Sequence, residues 1–201
     1  MSPEAAIYIP WDVWIVSWIA AALWVNRTVK RPSLGSEWPY RIIEWVGIIF
    51  LLVFYSQDSG DFRRSLQARN LLAQRYWALP SAVGWVMVGL IVIGFAFCWW
   101  GRIHLGRLWS ARITRKEGHR IVDTGPYAIV RHPIYTGILL AAAATTAEKA
   151  SGFAIAGLGM ISAGYWLKAR LEEKFLRSEL GSEAYDAYAR NTAMLVPFLK
   201  I

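Results

Sequence analysis

The sequence predicts an all-α polytopic membrane protein with about five transmembrane helices. The last two form a tight helical hairpin, followed by a cytoplasmic C-terminal helical tail. Three observations carry this expectation. The chain is 56% hydrophobic and only 18% charged, with mean hydropathy +0.32 and twelve Trp, an apolar excess beyond ordinary soluble domains. Its apolar residues fall in long blocks rather than amphipathic stripes. Its basic residues gather at the ends of those blocks, where anionic headgroups attract them.

The blocks follow in order. Residues 7–25 and 42–55 are the first two, and residues 79–100 are the longest. A fourth starts at Pro133 and runs to about residue 147, and a fifth ends near residue 167. A spanning helix takes about 20 apolar residues, fewer when flanking side chains snorkel. Glu148-Lys149-Ala150-Ser151-Gly152 joins the last two blocks, and so short a connection implies antiparallel neighbours. Gly137, Ala141 and Thr145 on one helix, and Gly152, Ala156, Gly157 and Gly164 on the other, place small residues on shared faces and let backbones approach closely. Residues 61–77 mix Phe62, Leu66, Leu72 and Tyr76 with arginines, the pattern of an interfacial helix. From Arg170 to about residue 191 the pattern is polar-amphipathic, a cytoplasmic extension of helix five broken at Gly181 and followed by a second short helix.

Charge sets the orientation. Seventeen Lys and Arg fall in the first and third inter-block segments and after block five, against five on the other side. The basic side is cytoplasmic, so the N-terminus is expected outside. No basic stretch or cleavage site marks the first block as a secretory signal. Cys98 is the sole cysteine, which forbids an intramolecular disulfide and suits a small buried apolar side chain.

Several chemistries are excluded. His104, His119 and His132 lack zinc-site spacing, and no metal is expected. No nucleophile elbow or phosphate-binding Gly-rich loop is present. The net charge of +8 comes without a nucleic-acid motif, so no nucleic-acid partner is expected.

The polar residues instead concentrate in two places. Gly125-Pro126-Tyr127-Ala128-Ile129-Val130-Arg131-His132-Pro133-Ile134-Tyr135-Thr136-Gly137 leads into block four. Pro133 suits the first turn of a helix, which sets Arg131 and His132 at its mouth, where free N–H groups and the dipole would help Arg131 attract a carboxylate. The second place, Arg170-Leu171-Glu172-Glu173, closes block five. Arg170 and Glu173 share one helix face, and Lys168 and Glu172 form a neighbouring stripe. Cations, carboxylates and the rings of Tyr127 and Tyr135 together describe a receptor for a zwitterion with an aromatic portion.

These residues also carry a family resemblance. Gly118-His119-Arg120-Ile121-Val122-Asp123-Thr124-Gly125-Pro126-Tyr127, followed by Arg131-His132-Pro133-x-Tyr135-x-Gly137, resembles the signature of the isoprenylcysteine carboxyl methyltransferase (ICMT) family. The match extends to Glu172-Glu173-x-x-Leu176, Gly181, Tyr185, Tyr188 and Pro197, and to Gly106-Arg107-x-Trp109-Ser110. It covers roughly residues 100–200, and Arg-His-Pro-x-Tyr alone is shared with phospholipid methyltransferases.

The resemblance implies S-adenosylmethionine as methyl donor, held on the cytoplasmic side and left as S-adenosylhomocysteine. His119, Tyr127, Arg131, His132, Pro133 and Tyr135 would line its site, with Glu172 or Glu173 taking the methionine ammonium. Arg170 is the expected orienting group for an anionic acceptor, Arg107 an outside candidate, and Glu173 or His119 the base for a neutral one. Residues 101–201 would form the methyltransferase core. Residues 1–100, which lack the family pattern, would form helices one to three and shape access for a lipophilic acceptor, either an isoprenylcysteine-like carboxylate or a phospholipid or thiol. Two other readings stand beside this one: a nicotinamide-dependent sterol reductase, disfavoured by the Glu172-Glu173 pair, and a non-catalytic lipid-binding membrane protein.

Overall fold

The computed structural model describes residues 1–22, 27–30, 34–53, 71–110, 112–118 and 120–199. Within them the chain is mostly helical. The helices are α1 (Pro3–Ala6), α2 (Tyr8–Ala21), α3 (Leu34–Leu52), α4 (Ser81–Leu105), α5 (Pro126–Ile129), α6 (Pro133–Lys149), α7 (Gly152–Leu180) and α8 (Ser182–Asn191). One element was not expected: β1 (Thr28–Lys30) pairs antiparallel with β2 (Arg115–Lys116) and ties the first connecting segment to the third.

Local chemistry sets the boundaries. Pro133 opens α6 at its first helical position, where a missing N–H costs nothing. Ala150, in a left-handed conformation, stops that helix. Ser151 caps α7 by accepting from the Ala154 N–H at 3.2 Å, as an N-cap hydroxyl does. The expected turn is therefore only two residues long. The helix α7 then continues far past the apolar block and breaks at Gly181, whose φ of +97° suits glycine. The interfacial helix expected over residues 61–77 lies largely outside the described residues. Its described end is a single 3-10 turn, Leu71–Ala73, followed by non-helical chain.

The small residues of α6 and α7 do bring backbones together, but not those of α6 and α7. A Cβ on Gly137 would lie 2.3 Å from the Gly94 carbonyl oxygen of α4, and one on Gly157 would lie 2.7 Å from the Gly47 oxygen of α3. Gly164 likewise sits against Glu44 and Tyr40 of α3. Each hairpin helix thus turns its glycine face outward to an earlier helix, and two close crossings, α4 with α6 and α3 with α7, build the bundle. Van der Waals contact at glycine faces is what holds helices together in an apolar solvent. Cys98 sits at the first crossing, and its thiol donates to the Ile134 carbonyl at 3.2 Å.

The helix ends sort into two sets. At one, Glu4 pairs with Arg75, Arg75 reaches the Glu148 carbonyl, and the Lys149 ammonium donates to the Leu51 and Leu52 carbonyls. At the other, Arg102 donates to the carbonyls of Ala21 and Gly106. Between the ends an aromatic ladder runs from α2 into α4: Trp11 and Trp14 both contact Phe95 at 4.9 Å, and Trp18 meets Trp109 edge-on at 5.4 Å.

Among the described residues, one stretch, Ser81–Leu108, is long and apolar enough to cross a membrane, with mean hydropathy 2.2 over its best window. Only 28% of that window is buried, so most of its apolar surface faces outward. The expected five spans are not met by this measure. At 14 residues α2, and at 17 residues α6, fall short of the ~20 that a bilayer takes.

Candidate functional site

The mouth of α6 is closed by a second strand of chain. Residues 192–195 run parallel to residues 130–132: the Arg131 N–H donates to the Ala193 carbonyl at 2.8 Å and the His132 N–H to the Met194 carbonyl at 3.2 Å. The Thr136 hydroxyl donates to the Leu195 carbonyl at 2.6 Å. This strap takes up backbone donors at residues 131 and 132 that the sequence leaves free for a carboxylate.

The Arg131 side chain is engaged as well. Its Nε donates to Glu173 Oε1 at 2.7 Å, and its Nη1 donates to the carbonyls of Ala189 and Thr192. His132 Nε2 lies 3.1 Å from the same Glu173 oxygen. Burial pushes the Glu173 carboxyl up, but hydrogen bonds and charge from His132 and Arg131 outweigh it and hold the group below its ordinary value. Arg131, His132 and Glu173 therefore form an internal buried lock that joins α6, α7 and the strap.

Beside this lock lies a cavity of about 190 Å³, roughly ten times the space a single water requires. Glu172, Lys168, Tyr135 and Tyr165 form its polar wall, and Trp14, Trp18 and Trp109 its apolar one. Glu172 Oε2 accepts from the Tyr135 hydroxyl at 2.7 Å and lies 3.6 Å from His132 Nδ1. The Tyr135 ring stacks on His132 at 5.1 Å. The Lys168 ammonium sits over the rings of Tyr135 at 4.8 Å, Tyr165 at 5.5 Å and Tyr40 at 5.8 Å, and makes no ion pair among the described residues. Ring faces attract a cation without neutralising it, so this charge remains available to an anion.

The residues expected from the sequence divide accordingly. Tyr127, Arg131, His132, Pro133, Tyr135 and Glu172 all line the cavity. Tyr127 is buried, its hydroxyl 3.4 Å from the Gly101 carbonyl and its own carbonyl accepting from Tyr188 at 2.8 Å. That burial raises its phenol well above the usual range and keeps it neutral. Glu173 lies in the lock rather than in the lining. Arg170 is exposed on the outer face of α7, its guanidinium 5.7 Å from the Trp166 ring. Arg107 is exposed too, and neither arginine lines the cavity. His119 lies outside the described residues.

Sequence reasoning placed Lys168 on one stripe with Glu172, four residues away, but gave it no role of its own. It also missed Trp14 and Trp18, for which no motif existed, and the strap, which is a product of folding.

The segment from α4 to α7 that builds this cavity has relatives. Residues 87–177 match the model of the isoprenylcysteine carboxyl methyltransferase (ICMT) family. This segment is thus similar to the ICMT family over just under half of the chain. The ICMT match begins within α4, takes in the α6 mouth, Lys168, Glu172 and Glu173, and ends within α7, before α8 and the strap. The chain is similar to a "Probable protein-S-isoprenylcysteine O-methyltransferase" of Oryza sativa subsp. indica, 29% identical over 130 residues, covering 63% of this chain and 65% of the relative. It is 27% identical over 131 residues to "Protein-S-isoprenylcysteine O-methyltransferase B" of Arabidopsis thaliana, covering 64% of each. Over 91 residues it is 40% identical to a "Methanethiol S-methyltransferase" of a Pseudomonas strain, covering 44% of this chain and 32% of that one. The chain thus spans just under two thirds of the length of the plant relatives.

Proposed function

We propose that this protein is an integral membrane methyltransferase that uses S-adenosylmethionine and acts on a lipophilic acceptor, most simply an isoprenylcysteine-like carboxylate. The observation that carries the proposal is the juxtaposition of Glu172 and Lys168 in one ring-lined cavity. The match of residues 87–177 to the ICMT family and the names of the relatives support the reaction class.

The donor set fits the cofactor. Glu172, pre-oriented by the Tyr135 hydroxyl, is the carboxylate offered to an α-ammonium. Tyr135, Tyr165 and Tyr127 offer ring faces and neutral phenols to a cation. Arg120 and Arg112 supply further positive charge in the lining. When bound, S-adenosylmethionine supplies an electrophilic methyl on a sulfonium. The remaining contribution of the chain is alignment. Lys168 holds the acceptor anion, Trp14, Trp18 and Trp109 exclude water around it, and an already anionic acceptor needs no base. Lys168 takes the role first assigned to Arg170, because its charge reaches the cavity. Between the two glutamates, Glu172 is the cofactor ligand and Glu173 holds Arg131 and His132 in place.

A thiol acceptor is the second reading, favoured by the 40% identity to the methanethiol enzyme. Residues 101–201 form the cofactor-binding core in this proposal, and residues 1–100 the acceptor approach. In this proposal the five apolar blocks cross a prokaryotic inner membrane, and the charge asymmetry puts the N-terminus outside and the cavity on the cytoplasmic side.

Calorimetry of S-adenosylhomocysteine with the purified protein tests the cofactor, and transfer of labelled methyl to N-acetyl-S-farnesylcysteine or to methanethiol tests the acceptor. Absence of any S-adenosylhomocysteine binding would overturn the function, while methylation of the thiol alone would select the second reading.

A further inference from the structure

The strap that closes the α6 mouth leads into a turn with no use in the site. Leu199 N–H donates to the Val196 carbonyl at 3.1 Å, and the side chains of this turn face outward. Val196 is 54%, Leu199 50% and Phe198 95% exposed. Phe198 also has φ +68°, a left-handed conformation that bulky residues rarely adopt. A ring held outward in that conformation, touching almost nothing of its own chain, points to a partner outside the chain.

The direction of the strap says which partner. Its contacts rise in register with α6: Ala193 against Arg131, Met194 against His132, Leu195 against Thr136. The strap therefore runs the same way as α6, which enters its apolar block at Pro133. Leu195 brings the chain to the level of Thr136, one helical turn into that block, and the exposed apolar turn follows directly. Exposed apolar and aromatic side chains at such a level match the interfacial zone of a bilayer.

We propose that residues 196–199 form a bilayer-contact surface that seats Val196, Phe198 and Leu199 in the cytoplasmic lipid interface. Through the strap, this anchor holds Arg131 and the cavity closed. The inference rests on the reading of α6 as a membrane helix in the proposed function. It makes the cofactor site depend on the membrane, because the carbonyls of Ala189 and Thr192 that bind Arg131 are joined to the anchored segment through the short strap.

Spin labelling tests it in the full chain reconstituted into lipid vesicles. Cys98 is buried and fully inaccessible, so Phe198→Cys introduces one reactive thiol, and Phe198 is exposed enough for the exchange to leave the fold intact. Val92→Cys, on the outward face of α4, and Arg190→Cys, on α8, give lipid and water references. The label at 198 is expected to collide preferentially with oxygen, as at 92, over a water-soluble nickel chelate, as at 190. Behaviour like that at 190 would overturn the anchor. A water-accessible label at 92 would instead sink the membrane reading itself. The coupling is tested by Phe198→Asp, which is expected to weaken S-adenosylhomocysteine binding several-fold in vesicles. Unchanged S-adenosylhomocysteine binding in Phe198→Asp would overturn the link to the cavity.

Discussion

Arg131 and Glu173 meet at 2.7 Å across 42 residues of chain, with His132 sharing the same carboxylate oxygen. This pair joins the start of α6 to α7, and through the Ala189 and Thr192 carbonyls it also fastens the strap.

Removing one partner of a buried pair strands the other charge, at a cost of about 3–5 kcal/mol. Glu173→Ala is therefore expected to lower thermal stability sharply. Glu173→Gln, which still accepts a hydrogen bond, should lose less. A thermal midpoint for Glu173→Ala equal to that of the parent would refute the lock.

Glu172 is expected to behave differently. It is only partly buried, and its described contacts are Tyr135 and His132, so Glu172→Gln should fold normally. Losing a charge-assisted hydrogen bond costs about 1.5–3 kcal/mol, a drop of roughly tenfold to a hundredfold in S-adenosylhomocysteine affinity. Calorimetry on both variants separates binding from stability, and equal losses of affinity without destabilisation would contradict the division of roles.

Lys168→Met should raise the KM for a carboxylate acceptor while leaving S-adenosylhomocysteine affinity within a few-fold. Its selectivity for carboxylate over the matching carboxamide, measured by competition, should disappear and return in Lys168→Arg. Arg170→Met, at the outer face of α7, should resemble the parent. The reverse ranking would restore Arg170 as the acceptor residue.

Acid should open the lock. The Glu173 carboxyl lies below its ordinary value of 4.5 in the folded protein. Its stabilisation is thus fully present above that ordinary value and is lost as pH falls through the depressed folded one. Unfolding followed from pH 7 downward should show the parent losing stability below about 4.5, and Glu173→Gln should flatten that slope. An equal slope in both would place the titrating group elsewhere.

Gly137→Ala should be among the most damaging single-methyl changes in the chain, because the added carbon would meet the Gly94 backbone at 2.3 Å. Overpacking of this kind costs about 1–3 kcal/mol or more. Gly159→Ala, where a Cβ meets nothing within 4 Å, is the matched control, and unfolding in graded detergent should separate the two.

Composition and block pattern were enough to predict a helical chain, the hairpin turn near residue 150, and the long α7 with its break at Gly181. They were enough because propensity, capping and apolar spacing are local properties of the chain. Motif spacing likewise marked both walls of the cavity, since the α6 mouth and the Lys168–Glu172 stripe each lie within a few residues of sequence. Which charge serves which purpose was decided only by the tertiary structure. Glu172 and Glu173 are neighbours in sequence, yet the helical rotation of about 100° between adjacent residues turns one to the cavity and the other into the lock. The same rotation carries Arg170 to the outside and Lys168 inward. The strap depends on chain 60 residues away folding back onto the α6 mouth, and the outward-facing glycines depend on which helices came to lie beside them. No local pattern encodes either, because both are properties of packing between segments distant in sequence.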